Sequence, residues 1–403
     1  MAPAIVPQTA RRAVVVDIVR SPFGRGREDG ALAGLHPVNL YAHVLEALME
    51  LTGIDPGLVE DVITGCVIQV GEQSGNIGRQ AVLAAGMPES VPAVTIDRKC
   101  GSAQQALDFA AQGVIAGAYD VVIAGGVEMM SLIPMRVNRM GKDNEGSRFH
   151  ERYPDGLIRQ GISAELIAAK WGIERQALDE FSVRSHQLAA ADRKDAGQDI
   201  IPIEVTSNGD TKKISNDEGI RETSNVEKLA TLKPAFINDE MASRFPQIDW
   251  SITAASSSQI SDGSAACLIV EEKTAEKLGL TPRAAITHFA VSGDDPMMML
   301  TGIIPATRKL LGKLDIKLAD IDAFEVNEAF ASVPLAWQKE FDTDPAKLNA
   351  LGGAIALGHP VGASGGRLMA NLIRTLEQNN GRYGLQTMCE SGGMANATLI
   401  ERL

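Results

Sequence analysis

The chain has 403 residues, of which 45% are hydrophobic, 39 are glycine and only 4% are aromatic. This composition excludes a disordered or fibrous chain and, at this length, predicts a globular α/β protein with more than one compact core. The formal net charge of −13 disfavours nucleic acid and anionic membrane surfaces as partners, while a local basic patch remains compatible with a phosphorylated ligand.

The first residues, MAPAIVPQTARR, contain no apolar segment of the secretory type, and no run of about 18 apolar residues occurs in the sequence. We therefore expect a cytoplasmic protein. The four cysteines form no C-x-x-C pair, so neither a zinc site nor a disulfide framework is indicated. Cys66 and Cys267 lie in apolar, β-like runs, and we expect both in the core.

In chain order, the first predicted elements form an α/β layer. Residues 13–24 have the pattern of a buried strand that runs into a turn, and residues 38–53 have apolar side chains at helical spacing before a glycine. Residues 91–131 predict a βαβ unit, with a helix that is apolar nearly all round and a second strand at 120–124 that ends at Gly125–Gly126.

The C-terminal part repeats this order of elements. Residues 348–400 predict a turn, a helix and a strand that ends at Gly392–Gly393, and CGSAQQAL at 100–107 aligns with VGASGGRL at 361–368. We infer an internal duplication and two similar α/β domains. Residues from about 132 to 260 are charged and loop-rich around helical segments at 163–197, which indicates an insertion of the kind that often carries a ligand-binding face.

Candidate reactive residues lie at the ends of these repeated elements. Cys100 directly precedes a helix, where the helix dipole and free amides lower the pKa of a thiol; a structural cysteine is the alternative. His359 lies in a glycine-rich turn at the corresponding place in the repeat, although a lone histidine in a turn is more often a surface residue. Cys389 lies at the end of the last long strand, and NEAFA at 327–331 follows the strand DAFEV, at an edge where α/β sheets bind ligands.

Five motifs in this order, CGSAQQAL, GGVEMMS, NEAFA, GGAIALGHPVGASG and CESGG, resemble the thiolase family over essentially the whole chain. The resemblance implies an α/β protein with the thiolase fold, in which two similar βαβαβαββ domains form five layers, α-β-α-β-α, with an inserted loop domain. It implies an N-terminal domain at 1–129 plus 261–281, a CoA-binding loop domain at 130–260 and a C-terminal domain at 282–403.

The resemblance also implies roles for the reactive residues. Cys100 is the acylated nucleophile, His359 takes its proton, and Cys389 is the acid or base at the substrate α-carbon. One oxyanion hole would use His359 and a water held by Asn327, and the other the backbone amides of Cys100 and Ser391. Ser391 stands where thiolases commonly have the first glycine of C-x-G-G, which leaves the conformation of its amide open. No cofactor and no metal is implied, since coenzyme A is a substrate.

Contacts to the substrate are implied at six positions: Arg159, Gln160, Arg221, Ser258, Met299 and Phe330. Ser258 and Arg221 resemble contacts to the pantetheine and adenosine ends of CoA, with a solvated arginine as the alternative for Arg221. Met299 and Phe330 resemble residues of the acyl tunnel, with core packing as the alternative. Arg159 and Gln160 replace the His-Met pair of short-chain biosynthetic enzymes, which favours a longer or bulkier acyl chain.

We therefore expect an acetyl-CoA C-acyltransferase that cleaves 3-ketoacyl-CoA in fatty-acid or other lipid degradation, and that assembles as a homodimer or homotetramer. A biosynthetic acetoacetyl-CoA thiolase is the first alternative. A decarboxylating ketoacyl synthase is disfavoured because NEAFA stands where that class has a histidine. A non-catalytic, lipid-binding relative is disfavoured because every expected catalytic residue is present. The sequence predicts no role for the spacer at 237–252, which is longer than usual.

Overall fold

The computed structural model describes residues 11–193, 199–207, 209–314 and 316–403. The start of the predicted N-terminal domain and the end of the helical stretch predicted at 163–197 lie outside these ranges. Among the described residues, no helix is both long and apolar enough to cross a membrane.

The elements alternate along the chain as an α/β protein requires. The strands are β1 (Ala13–Arg20), β2 (Gly24–Arg25), β3 (Asp61–Gly65), β4 (Ala93–Ile96), β5 (Val121–Met129), β6 (Ile203–Ser207), β7 (Asp210–Ile214), β8 (Ser261–Glu271), β9 (Ala284–Gly293), β10 (Ala323–Val326), β11 (Tyr383–Glu390) and β12 (Met394–Arg402). The helices are α1 (Pro37–Thr52), α2 (Ile77–Ala84), α3 (Ser102–Ala116), α4 (Ser147–Arg152), α5 (Gln160–Trp171), α6 (Arg175–Asp192), α7 (Val226–Ala230), α8 (Asp239–Arg244), α9 (Glu272–Lys277), α10 (Ile303–Leu311), α11 (Ser332–Phe341), α12 (Ala354–Leu357) and α13 (Ser364–Asn379).

The main sheet shows the predicted duplication. In the first half β3 lies between its parallel neighbours β4 and β5, and β5, β8 and β1 follow as antiparallel neighbours. In the second half β10 is parallel to β11, and β11, β12 and β9 are antiparallel neighbours. An isolated parallel bridge from Phe324 to Leu348 lies where the first half has β4. The two halves therefore have the same strand pairing.

The two half-sheets are joined along β1. Residues Ala13, Val14 and Val15 pair with Ile286, Ala285 and Ala284 of β9, so that the strands form one path in the order β10-β11-β12-β9-β1-β8-β5-β3-β4. β2 pairs with β8 beside this path, and β6 and β7 form a separate hairpin.

Two helices lie between the half-sheets. α3 contacts β1, β3, β5 and β8 of the first half and β9 and β12 of the second, while α13 contacts strands of both halves and α3 itself. α1 and α2 cover the outer face of the first half-sheet, and α10 covers that of the second. This arrangement is the predicted sequence of five layers, with α3 and α13 in the central one.

Most predicted elements of the first half are confirmed, with one correction. The helix predicted at 38–53 is α1, which ends at Gly53 in the left-handed conformation at φ 65°. The strand predicted to end at Gly125–Gly126 continues to Met129 as β5. A Cβ on Gly125 would lie 2.0 Å from the Ala265 carbonyl oxygen of β8, so this glycine permits close strand packing within the sheet rather than a turn. The first half of α3, from Ser102 to Asp108, is completely buried, and its second half has exposed positions, of which Phe109 is 42% exposed.

The residues between β5 and β8 carry the helices α4 to α8 and the hairpin. The helical stretch predicted from residue 163 is two helices, α5 and α6, separated at Gly172, which is left-handed at φ 56°. α5 packs on α11 and α6 packs on α12, so this segment lies against the second half of the molecule.

The spacer at 237–252 packs against the start of α5. Arg244 of α8 donates hydrogen bonds to the Asp155 and Gly156 carbonyl oxygens at 2.8 and 3.1 Å. An apolar group, here called the spacer cluster, has the buried core Ile158, Ile162, Leu166 and Ile248 and is surrounded by Phe236, Met241, Phe245, Trp250, Met297 and Met298. The spacer is thus an ordered wall beside α5.

We predict that Gly365→Ala destabilises the protein by about 1–3 kcal/mol, the usual cost of overpacking. A Cβ on Gly365 of α13 would lie 2.2 Å from the Gln104 backbone nitrogen of α3, so the two central helices would have to separate. The free energy of unfolding from denaturant titration measures the effect.

Gly312→Ala is the matched control, because Gly312 has φ −64° and the nearest atom to an added Cβ, the Arg308 carbonyl oxygen, lies 3.4 Å away. This variant should unfold at nearly the wild-type denaturant concentration. Equal stability of the two variants would show that α3 and α13 are not held at a limiting distance.

Candidate active site

Cys100 lies in a tight turn between β4 and α3. Lys99, just before it, is left-handed at φ 49°. The Gly101 amide donates to the Arg98 carbonyl oxygen at 3.1 Å, and Ser102 Oγ accepts from the Arg98 amide at 2.8 Å and donates to the Lys99 carbonyl oxygen at 2.6 Å. Backbone strain at such a position is typical of functional turns. The turn fixes the Cys100 thiol at the start of the central helix α3, where it is 7% exposed.

Burial dominates the ionisation of Cys100. Desolvation raises the pKa of its thiol to about 12, the charge of Glu390 acts in the same direction, and the Cys100 amide opposes them. The lowering expected from the helix N-terminus is therefore outweighed in the free protein, because a buried thiolate loses its hydration. A nucleophilic Cys100 needs a base to remove its proton.

His359 lies in the turn between α12 and α13. Its backbone amide donates to the Gln259 carbonyl oxygen and to Ser261 Oγ, both at 3.0 Å. The preceding Gly358 has φ 105°, and a Cβ there would lie 2.4 Å from Ser261 Oγ. The turn is thus tied to the start of β8, which belongs to the first half of the chain. Histidine and cysteine reach the same region from opposite halves of the duplication.

The imidazole of His359 is oriented as a base. Ser364 Oγ donates to the Pro360 carbonyl oxygen at 2.8 Å, so it can only accept from His359 Nδ1, which lies 2.6 Å away. Nδ1 therefore carries the proton and Nε2 carries the lone pair. Burial, followed by the charge of Arg367, lowers the pKa of His359 to about 3, so the ring is neutral at physiological pH. Asn327 Nδ2 lies 3.5 Å from His359 Nε2.

Cys389 and Asn327 come from neighbouring parallel strands. Asn327 follows β10, and its amide donates to the Thr387 carbonyl oxygen of β11 at 3.1 Å. Burial raises the pKa of the Cys389 thiol, and the charge of Cys100 raises it further, whereas hydrogen bonds from its own amide and the Asn327 side chain oppose them. The four residues predicted to be catalytic, Cys100, His359, Cys389 and Asn327, therefore converge on one buried region.

Sequence reasoning missed the residues that hold this arrangement in place. Asn349 accepts from the Val326 amide at 2.8 Å and donates to the Val326 carbonyl oxygen at 2.9 Å, which fixes the end of β10. It also donates to Glu328 Oε1 at 2.9 Å, while Ser185 and the Ile355 amide donate to Glu328 Oε2 at 2.7 and 3.1 Å. Glu328 of NEAFA thus ties the Asn327 loop to α12. The position of Glu328 inside the NEAFA motif was the sequence feature that could have indicated this role.

Ser391 begins the turn after β11. The backbone is left-handed at Gly392, φ 95°, and at Gly393, φ 78°, but not at Ser391. A Cβ on Gly393 would lie 2.8 Å from the Asp294 carbonyl oxygen. The conformation therefore requires glycine at the second and third positions of the turn, and a serine is compatible with the first. The backbone amide of Ser391 stays a proposed oxyanion donor.

The residues that resemble CoA contacts lie in different surroundings. Ser258 is partly buried, and its amide donates to the Ala329 carbonyl oxygen at 3.0 Å, close to the Asn327 loop. Arg221 has an exposed side chain, and its amide donates to His186 Nδ1 at 3.1 Å. Ser258 therefore lies beside the site, while Arg221 lies on a surface loop.

The residues that resemble the acyl tunnel are buried together with Cys389 in one apolar core. Met299 is 5% exposed and left-handed at φ 47°, and Phe330 is 7% exposed. Phe236, next to the spacer, packs edge-to-face on Phe330 with ring centroids 5.8 Å apart. A Cβ on Gly161 of α5 would lie 2.3 Å from the Phe236 ring. Phe236 therefore occupies the space between α5 and Phe330.

Arg159 and Gln160 lie at the start of α5. Arg159 is the exposed N-cap residue of this helix, and Gln160 is its first, partly buried residue. Burial lowers the pKa of Arg136, and the positive charges of Arg159 and Arg139 nearby lower it further. This face of the insertion is locally basic although the chain is acidic overall.

One group of potential metal ligands occurs among the described residues. Asp143, Glu145 and His150 bring their ligand atoms within 4.8 Å of one another, but all three are exposed and none is a predicted site residue. The absence of a metal from the reaction stays a prediction.

Comparisons with known proteins agree with the geometry. The model of the thiolase N-terminal domain matches residues 13–273, and that of the thiolase C-terminal domain matches residues 280–402. A steroid 3-ketoacyl-CoA thiolase of Mycobacterium tuberculosis is 47% identical over 402 residues, which cover 97% of this chain and 94% of the relative. A 3-ketoacyl-CoA thiolase of Bacillus subtilis is 37% identical over 402 residues, which cover 97% of this chain and 99% of the relative.

A solved structure extends the likeness to three dimensions. The crystal structure of the Bacillus anthracis acetyl-CoA acetyltransferase is 37% identical, covers 98% of this chain and 100% of its own, and gives a TM-score of 0.87. The duplicated sheet, the central helices and the full-length sequence similarity lead to one conclusion. This chain belongs to the thiolase family of acyltransferases.

Proposed function

We propose that the chain catalyses CoA-dependent thiolytic cleavage of a 3-ketoacyl-CoA to acetyl-CoA and a shortened acyl-CoA, together with the reverse condensation. The observation that supports this proposal is the convergence of Cys100, His359, Cys389 and Asn327, which come from four separate segments, on one buried region. Two thiols and a neutral imidazole are the groups that acyl transfer coupled to carbon–carbon bond cleavage requires.

The first half-reaction begins at the Cys100 thiol. His359 Nε2 takes its proton, and the thiolate attacks the 3-keto carbon of the substrate. Collapse of the resulting alkoxide leaves the acyl group on Cys100 and expels the enolate of acetyl-CoA. The Cys389 thiol protonates the enolate carbon, so acetyl-CoA leaves and Cys389 becomes a thiolate.

The second half-reaction restores every proton. The thiol of the incoming CoA gives its proton to the Cys389 thiolate and attacks the acyl carbon on Cys100. Collapse of the second alkoxide releases the shortened acyl-CoA, and the protonated His359 returns its proton to the Cys100 thiolate. His359 with a water held by Asn327, and the amides of Cys100 and Ser391, are the proposed oxyanion donors.

The 3-ketoacyl-CoA substrate is supported by the names of the relatives, which are 3-ketoacyl-CoA thiolases at 37 to 47% identity. These names favour lipid degradation over the biosynthetic alternative. Phe236, Met299 and Phe330 are proposed to enclose the acyl group, because they pack together in the apolar core that contains Cys389. A steroid-type or similarly bulky acyl group is the finer proposal, since the relative with 47% identity is a steroid 3-ketoacyl-CoA thiolase.

The CoA moiety is proposed to lie along the insertion at 130–260. Ser258 is proposed to contact the pantetheine, because it lies beside the Asn327 loop, and Arg221 the adenosine end. Arg159 and Gln160 are proposed to face the ligand from the start of α5. The locally basic surface at Arg159 and Arg136 supports binding of a phosphorylated molecule by an acidic chain.

Assembly as a homodimer or a homotetramer is also a proposal. β4 is the edge of the main sheet, and Val94 on this strand is 41% exposed. An apolar side chain on an edge strand supports contact with a second copy of the chain. The cytoplasmic location stays a prediction from the sequence.

Two cysteine variants test the division of roles. Cys100→Ser should abolish covalent acetyl labelling from acetyl-CoA, because the acyl-accepting thiolate is lost. Cys389→Ser should keep the labelling but lose cleavage of acetoacetyl-CoA and of a longer 3-ketoacyl-CoA, followed as loss of Mg-enolate absorbance on addition of CoA. Cys267→Ser, which changes a buried thiol of β8, serves as the control and should retain both activities.

Retention of label in Cys100→Ser would show that the nucleophile is another residue. Absence of cleavage of either substrate by folded wild-type protein with a free Cys100 would contradict the proposed function as a whole.

We predict that kcat/KM for cleavage shows no acid limb near pH 6.5, the unperturbed value for imidazole. The pKa of His359 is lowered to about 3, so the ring keeps its lone pair throughout the neutral and weakly acidic range.

His359→Ala should lower kcat by about 10²–10⁴-fold, the usual contribution of a general base. His150→Ala, an exposed histidine, is the control and should keep the wild-type profile.

An acid limb near pH 6.5 that disappears in His359→Asn would show that the resting imidazole is not held neutral by burial.

Phe236→Ala tests the proposed acyl wall. Removal of the ring opens space between Gly161 and Phe330, so the ratio of kcat/KM for a long or bulky 3-ketoacyl-CoA to that for acetoacetyl-CoA should rise roughly tenfold. Phe245→Ala is the control, since Phe245 packs in the spacer cluster but not in the core that contains Cys389. Equal ratios in wild type and Phe236→Ala would place the acyl group elsewhere.

A further inference from the structure

Glu390, the last residue of β11, is a fully buried carboxyl group behind the candidate nucleophile. A Cβ on Gly101 would lie 2.1 Å from Glu390 Oε1 and 3.0 Å from Asn396 Nδ2. The carboxyl therefore lies against the backbone that follows Cys100, in the space that a side chain at position 101 would enter. Within the described ranges, neither oxygen of Glu390 has a hydrogen-bond partner. None of the proposed steps uses this group.

The charged and titratable groups around Glu390 come from three elements. The turn before α3 contributes Asp97 and Arg98, α3 contributes Asp108 beyond Cys100, and β11 contributes Cys389. Arg98 makes no ion pair with Glu390 among the described residues, although its charge favours the ionised carboxyl. Thr398 of β12 donates to Asp108 Oδ1 at 2.7 Å, and Asp108 Oδ2 has no partner in the described part of the chain. Among the described residues, Glu390 therefore has a second buried acid as a neighbour and no ion-pair partner, although the charge of Arg98 acts on it.

We propose that Glu390 is a positioning residue that sets the reactivity of Cys100. The charge on the buried Glu390 carboxyl determines how readily the Cys100 thiol ionises. It acts through Cys100 and touches neither the acyl group nor CoA. The inference rests on the proposed function, in which Cys100 is the nucleophile.

The direction of the effect follows from like-charge repulsion. Burial, opposed by Arg98 and reinforced by Asp108, raises the pKa of Glu390 to about 8. Below that pH the carboxyl is neutral and adds no charge next to the thiol. Above it a carboxylate forms, and after burial itself this charge is the largest influence that raises the pKa of Cys100. Lys99 and Glu128 act on the thiol more weakly, in opposite directions. Glu390 therefore disfavours ionisation of the Cys100 thiol at alkaline pH and has no such effect at acidic pH.

The test is the rate of Cys100 alkylation by iodoacetamide in the full-length protein, measured from pH 6 to pH 10 by mass spectrometry of the Cys100 peptide. Wild type and Glu390→Gln should react equally at the acidic end, where both side chains are neutral. At pH 9 the variant should react about three- to tenfold faster, which corresponds to a shift of half to one unit in the thiol pKa.

Glu390→Met is a second neutral variant, and it should match Glu390→Gln if charge rather than hydrogen bonding is responsible. Glu325→Gln is the matched control, because Glu325 of the neighbouring strand β10 is equally buried and its charge is not among those that act on the Cys100 thiol. This control should follow the wild-type profile.

Wild-type protein alone gives an independent measurement, because its alkylation rate should rise less steeply with pH above about pH 8 than a single ionisation allows. A single-ionisation profile in wild type, or variant rates that differ from wild type by the same factor at every pH, would overturn the proposal. Alkylation reports on the thiol without turnover. A pH-dependent shift without thiolysis would contradict only the proposed function, and thiolysis without a shift would contradict only the role of Glu390.

Discussion

The contact between α3 and α13 is the constraint on which the candidate active site depends. Gly365 allows α13 to approach the backbone of α3 at Gln104, and the half-sheets enclose both helices. Cys100 lies in the turn just before the first helix, and His359 lies in the turn before the second. The two helices start at equivalent points of the duplicated chain and pack in one layer. Their packing therefore brings these two turns together. The candidate catalytic pair is therefore a consequence of the duplication, and neither half contains it alone.

Burial controls the protonation of the reactive groups in the site. The Cys100 and Cys389 thiols lose water, which raises both pKa values, and the same loss lowers the pKa of His359. Each group is thereby neutral at physiological pH. A neutral imidazole with a free Nε2 and two protonated thiols is the starting state that the proposed proton transfers require, because each of these groups gives or takes one proton in each half-reaction.

The site is also supported by polar residues that are not reacting groups in the proposed steps. Asn349 and Glu328 fix the Asn327 loop to the end of β10 and to α12, and Ser364 selects the tautomer of His359. Fixed hydrogen bonds of this kind hold reacting groups in a defined geometry. The insertion contributes an apolar contact. Phe236, next to the ordered spacer, packs against Phe330 on the side where the acyl group is proposed to lie.

The sequence by itself determined the order of elements and the duplication, and it singled out Cys100, His359, Cys389 and Asn327 as candidate site residues, because glycine punctuation, apolar periodicity and ordered motifs are local properties of the chain. Only the tertiary structure decided the charge states of the two thiols and the imidazole, since desolvation depends on what packs around them. It showed that burial outweighs the helix N-terminus at Cys100 and that Gly125 lies within a strand rather than at its end. The contacts of Glu390 with the Cys100 turn and of Phe236 with Phe330 were equally hidden, because these residues are far apart in sequence and only packing brings them together.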